Sequence, residues 1–238
     1  MQRTNQPQHI GAAGVIFVAV LTLLFTGCRQ GDESVDSDPA DATPFELEEG
    51  FTQLTLDDFE VFTKPGADGA GTWSQKTDVI QTTGSPRGYL YSKNSHRNFT
   101  LRLEYRFANL DGGVVDGADV AKVNTGVLVY ITGPHRIWPK CLEVQGKHVE
   151  MAHIKSNARD ITIEAEDDEA ARKSARLPAG QWNRLEIVSK DGALTSTLNG
   201  KKICESQPSE LVAGPFGLQA EDYPVDFRRL RIRGDVED

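Results

Sequence analysis

Cysteine, methionine and surplus positive charge are all scarce in this chain. Three cysteines and two methionines occur in 238 residues, and 26 Lys and Arg face 35 Asp and Glu, a formal charge of −9. That deficit of cations excludes the basic stripe that binds nucleic-acid phosphates, so no nucleic-acid partner is expected. No CxxC or HExxH spacing occurs, and nothing in the spacing of donors commits the chain to a metal. Long apolar runs are missing too. The one candidate, Ile10 to Phe25, is too short and too closely followed by polar chain to span a membrane comfortably. No unit of about 20–50 residues recurs, which excludes a solenoid. Helical periodicity is nearly absent. Ala165–Leu177 offers a single short helix, with Glu166 and Glu169 ahead of Arg172 and Lys173, or else a charged surface loop.

What is present begins with a leader. Arg3 precedes the apolar run, and "LFTGC" ends it at Cys28. This resembles a bacterial lipoprotein signal, in which residues 1–28 form the signal segment and Cys28 carries the lipid. The expectation is an exported protein, held at the cell envelope by a membrane partner through its lipid anchor. Residues 29–49 are rich in Asp, Glu, Ser and Pro and cannot bury enough apolar surface to order themselves. Eleven acids and no Lys or Arg fall between Gly31 and Glu60, which leaves the rest of the chain at about +2. An acidic segment repels itself and extends, as a tether would. Cys141 and Cys204 remain, and export permits a disulfide between them as readily as two buried thiols.

From residue 50 to 236 the dominant period is two. In "FTLRLEYRF", Phe99, Leu101, Leu103, Tyr105 and Phe107 alternate with Thr100, Arg102, Glu104 and Arg106, the pattern of a half-buried strand. "TGVLVYIT", "KCLEVQ", "NRLEIVSK", "ALTSTL", "FGLQAE" and "RLRIRG" read as further strands. "SPRG", "DGG" (Asp111–Gly113), "KDG" and "LNGKK" read as turns. The phase slip in "VDFRRLRI" predicts a bulge near Arg228. Trp182 is expected in the core, and Asn183 at a strand start. Many short strands at regular intervals predict one all-β sandwich.

"WPKCLEVQGKHVE" raises the functional question. With period two, Leu142 and Val144 point one way while Cys141, Glu143 and Gln145 point the other. Glu104 and Arg106 likewise share the polar face of their strand. His135 and Trp138 lie in the Gly- and Pro-bounded loop "GPHRIWPK", and aromatic rings at such a mouth can stack on the C–H faces of sugars.

"GFTQLTLDDFEVF", "NTGV", "WPKCLEVQ", "GQWN", "LNG" and "GPFGLQAEDYPVDFRRLRIR", in that order, resemble the 3-keto-disaccharide hydrolase domain, a bacterial family, over Gly50 to about Arg233. The resemblance implies a concanavalin-like jelly roll of two antiparallel sheets. It also implies an enzyme that cleaves glycosides already oxidised to a ketone at C3, by hydrolysis or by β-elimination and hydration. The ketone acidifies the C2 hydrogen, so a base, a donor for the enolate oxygen and an acid for the leaving group suffice. On this resemblance Glu143, Arg106 and His135 form the expected catalytic set. Gln145, Glu104, Trp138, Asn124, Gln219 and His148 form the substrate-binding set, with the Glu104–Arg106 strand expected beside the Glu143 strand. The chain departs from the common pattern after Gln145, where "GKHVEMAHI" stands. No metal ligand is assigned, although a divalent ion stays open as a cofactor. Two other readings use the same fold: a non-catalytic, lectin-like sugar-binding module, and a laminarinase-like glycosidase. For the latter the strand supplies only Glu143 and Glu150 as paired carboxylates.

Overall fold

The alternation along Ser95–Phe107 is realised in a computed structural model, which describes residues 45–108 and 120–237. Phe99, Leu101, Leu103, Tyr105 and Phe107 are all buried, and Arg102 and Arg106 between them stay partly exposed. The leader, Cys28, the tether up to residue 44 and the Asp111–Gly113 turn lie outside the described residues.

Two antiparallel sheets enclose one core, as the strand pattern and the resemblance both led us to expect. The first holds β1 (Thr52–Gln53), β3 (Trp73–Lys76), β4 (Val79–Thr82), β6 (Ser95–Phe107) and β10 (Ala165–Asp167). It also takes β11 (Asn183–Lys190), β12 (Ala193–Leu198), β13 (Lys201–Ser206) and β15 (Val225–Glu237). The second holds β2 (Phe59–Thr63), β5 (Gly88–Ser92), β14 (Gly217–Ala220), β7 (Gly126–Thr132), β8 (Lys140–Gln145) and β9 (Ile154–Ser156), in that spatial order. Leu101, Leu103, Leu185 and Ile187 of the first sheet meet Val127, Leu142, Val144 and Leu218 of the second, all at most 3% exposed. Burial of this kind removes apolar area worth about 25 cal/mol per Å² from water.

Local chemistry explains the turns. Asn199 and Gly200 both take positive φ (49° and 84°), the mirror-image geometry that a two-residue hairpin requires, and so connect β12 to β13. The predicted slip in β15 is a bulge, with Arg229 at φ 52° and a register shift between Arg228 and Arg231. Ala165–Leu177 holds both a strand and a helix: the three residues of β10 come first, then the seven of α1 (Glu169–Ala175), capped by Asp168 Oδ1 accepting from the Ala171 amide at 2.7 Å. Cys141 and Cys204 are separate buried thiols.

β6 sits between β11 and β15 in the nine-stranded sheet, whereas Glu143 belongs to β8 of the other sheet. The expectation that these strands are neighbours is therefore corrected. The alternation of β6 specifies a buried face but not the partner strands, and its registry with β15 and β11 carries Glu104 and Arg106 to the opposite side of the sandwich.

Candidate functional site

Parity sends Glu143 and Gln145 away from the core, yet each is only 3% exposed. Loops cover them. Arg136–Trp138, ahead of β8, and Asn157–Asp160, after β9, line a cavity of about 950 Å³. Lys140 at the start of β8 ties one wall down through Asp160 at 3.0 Å and also meets Glu210 at 3.1 Å. On the floor, β8 supplies Glu143 and Gln145, β9 supplies Lys155, and Asn124 and Glu221 arrive from the ends of β7 and β14. Lys155 is there because β8 and β9 pair with Glu143 opposite Lys155.

Glu143 is short of partners. Lys155 Nζ stands 3.8 Å from Oε2, longer than a hydrogen bond. Burial, with the negative charges of Glu221 and Glu150, outweighs that cation and pushes the carboxyl up to about 7. Glu221 is also raised, chiefly by burial. The neighbouring Asn124 side chain opposes that rise, and its Oδ1 has no partner among the described residues. Gln145 Oε1 accepts from the Lys147 amide at 2.8 Å, which fixes that carboxamide. Gly126 on β7 keeps the floor open. A Cβ there would stand 2.7 Å from Glu143 Oε1 and closer still to Gln219 Oε1. Cys141 on the same face is pushed up to about 12 by burial, so its thiol is inert.

Of the residues expected at a site, Glu143, Gln145, Asn124 and Trp138 line this cavity, and Gln219 lies in a narrow recess that shares Trp138, Ile137 and Glu221 with it. Trp138 is 43% exposed, its ring open to solvent. The others lie elsewhere. His135 packs against Tyr91 with ring centroids 4.3 Å apart and bonds Tyr89 Oη through Nδ1 at 2.9 Å. Its neighbour Arg136 takes the place at the cavity wall. His148 lies in a 3-10 turn, His148–Glu150, and not on a strand. The imidazole is buried, its Nε2 3.2 Å from the Leu177 carbonyl, and it does not line the cavity. Glu104 and Arg106 lie on the other outer face. Glu104 accepts from Arg228 Nε at 2.8 Å and Arg229 Nη1 at 3.1 Å, and Arg106 Nε donates to Asp226 at 3.0 Å. Trp182 is buried as expected, but on this outer face and outside the cluster between the sheets, its ring against the guanidinium groups of Arg106 (4.5 Å) and Arg228 (4.1 Å). Asn183 does order its strand start, accepting from the Leu177 amide at 2.9 Å.

Lys155, Glu221, Arg136 and Asn157 were not singled out from the sequence as site residues. Only Glu221 carried a readable signal, its shared parity with Gln219. Lys155 needs the β8–β9 register, which no periodicity reveals. As for a metal, the tightest group of donors among the described residues is His153, Asp167 and Cys204, within 4.8 Å of one another. None of the three lines the cavity, and Asp167 already carries the buried guanidinium of Arg172.

Solved structures of similar fold include two candidate glycosyl hydrolases from Parabacteroides distasonis. One is 20% identical with a TM-score of 0.53, covering 78% of this chain and 99% of that one. The other is 17% identical with a TM-score of 0.54, covering 80% and 98%. A carbohydrate-binding module from Bacillus subtilis follows at 13% identity and a TM-score of 0.49, covering 74% and 96%. At these identities the likeness is one of fold. No curated protein matches the sequence. A family model for the 3-keto-alpha-glucoside-1,2-lyase-like domain matches residues 52–233, well over half of the chain, and the protein belongs to that family.

Proposed function

We propose that the cavity over β8 cleaves glycosides whose sugar ring already carries a ketone at C3, with Glu143 as the proton-transfer residue. Family membership gives the protein a carbohydrate-related function. The observation that carries the finer reading is a carboxyl group 3% exposed, poised at about 7, on the floor of a cavity large enough for a disaccharide. A base near neutrality is matched to removing a hydrogen acidified by an adjacent ketone. Ionised Glu143 takes the C2 proton, the electrons move towards the C3 oxygen as an enolate, and their return expels the substituent at C1, whose oxygen takes up the proton from Glu143 and leaves the carboxylate ionised again. Lys155 supplies positive charge and N–H donors beside the carboxylate, for the anionic oxygens that form. Trp138 offers a ring face to the sugar. Water added to the resulting enone completes a net hydrolysis. The leader and Cys28 extend the reading to a lipid-anchored protein of the cell envelope.

Incubating the protein with an aryl 3-keto-glucoside should release the phenol. The Glu143→Gln variant should lose about 10²–10⁴-fold of that rate and melt no lower than wild type. Full activity in the variant would remove Glu143 from the chemistry. A wild type that binds the keto-glucoside without releasing phenol would favour a sugar-binding module.

A further inference from the structure

Gln219 is a buried polar side chain that the fold leaves unsatisfied. It is 3% exposed, and neither Oε1 nor Nε2 has a hydrogen-bond partner among the described residues. Buried amides are nearly always paired, because an unpaired one keeps the full penalty of leaving water. Two features tie Gln219 to the site. Gly126 gives up the Cβ that would collide with both Gln219 Oε1 and Glu143 Oε1, so the carboxamide and the carboxyl are held about one point on the floor. The recess around Gln219, itself without room for a water molecule, borders the main cavity through Ile137, Trp138 and Glu221.

We infer that Gln219 is the residue that reads the oxidised carbon of the sugar. The inference rests on the keto-glycoside reading of the same site. A primary carboxamide presents a donor and an acceptor side by side. A C3-ketone next to a hydroxyl presents the complement: a carbonyl oxygen that only accepts and an O–H that donates. Nε2–H donates to the ketone oxygen, and Oε1 accepts from the neighbouring hydroxyl. Both orphaned atoms are thereby satisfied at once, and the carbon next to the ketone, which bears the acidic hydrogen, is brought towards Glu143. No proton transfer is assigned to Gln219. It is a recognition residue, and its N–H strengthens the enolate's oxygen contact as charge builds there.

The Gln219→Leu variant separates this role from a structural one. A side chain that serves the fold destabilises when truncated to an apolar one. One that serves the ligand does the reverse. The ligand-free Leu variant should melt about 2–4 °C above wild type, lose the rise in melting temperature that 3-keto-glucoside gives wild type, and fall about 10²-fold in kcat/KM. Gln219→Glu keeps the shape and, once ionised, cannot donate to a ketone, so its shifts are read at pH 9. Its thermal shift should be larger with the unoxidised glucoside than with the keto-glucoside, opposite to wild type. A lower melting temperature for the ligand-free Leu variant, or equal keto-glucoside shifts in variant and wild type, would overturn the inference. If wild type shows the keto-glucoside shift without turnover and Gln219→Leu abolishes it, the recognition role stands while the catalytic reading falls.

Discussion

Glu104 and Glu143 are both buried carboxylates, on opposite outer faces of one sandwich, and the fold treats them in opposite ways. Glu104 is 5% exposed and sits among Arg228, Arg229 and Arg184, with its oxygens engaged at 2.8 and 3.1 Å and the third cation at 3.7 Å. Around it the pairing continues. Arg102 bridges Glu186 and Glu48, Arg231 also takes Glu48, and Trp182 lies against two guanidinium groups. Glu143 is 3% exposed and has one lysine at 3.8 Å, with Glu221 raising its proton affinity. One face has its charges satisfied from within the protein. The other keeps a carboxyl, a glutamine and an asparagine oxygen short of partners around a cavity. Burial alone does not mark a functional carboxylate. Burial without compensation does.

The comparison breaks most visibly under substitution. Glu104→Ala takes from the buried Arg228 the carboxylate that its Nε meets at 2.8 Å, and should cost about 3–5 kcal/mol. The midpoint of urea denaturation should fall at constant slope, while the rate per folded molecule is kept. An unchanged midpoint would show that the arginine network is ornamental.

Next in size is the effect of pH. Glu143 is raised from 4.5 to about 7. The folded state therefore holds its proton more tightly than the unfolded chain does. That stabilisation is complete below about pH 4.5 and is lost as pH rises through 7, a change of roughly 3 kcal/mol. Glu143→Gln, permanently neutral, should match wild type in denaturation at pH 4 and exceed it at pH 8. Equal stabilities at pH 8 would mean that the carboxylate is solvated after all.

The satisfied face should respond with the opposite sign. A hydrogen bond from Arg231 holds Glu48 down at about 2. Its contribution is present above about pH 4.5 and lost as pH falls towards 2. Because the side chain is 38% exposed, the effect is small, below about 1 kcal/mol. Glu48→Gln should be slightly less stable than wild type at pH 7, the gap closing on acidification. A gap that widens in acid would contradict the pairing with Arg231.

Much of this architecture is written locally. The alternation of Phe99–Phe107, the Asn-Gly hairpin and the bulge near Arg228 each follow from a few adjacent residues, and so does the parity that turns Glu143 and Gln145 from the core. What sequence could not supply was non-local. Nothing in Glu104 and Arg106 says which strands flank β6, so a polar strand face looked like a site when it was half of an ion-pair ladder. Lys155 looked unremarkable until the β8–β9 register set it opposite Glu143. The burial of Trp182 was readable, because a large aromatic at a strand start is usually buried, but not what covers it, since the two arginines against its ring come from strands far apart in the chain.

The smallest predicted effect concerns the position of a pH profile. If Glu143 acts as the base, kcat/KM for the keto-glucoside rises with pH as that carboxyl ionises, with a midpoint near its value of about 7. Two neighbours set the midpoint in opposite directions. The charge of Glu221 raises it, and the ammonium of Lys155 lowers it. Glu221→Gln removes a negative neighbour without changing the side chain's shape, so the limb should move to lower pH by a fraction of a unit. Lys155→Met should move it to higher pH, whatever it does to the height of the plateau. Height alone could fall for many reasons, including lost sugar contacts, but opposite displacements of one limb require that both side chains act on the same titrating group. A limb that stays fixed in both variants would assign the titration to a group outside this cavity.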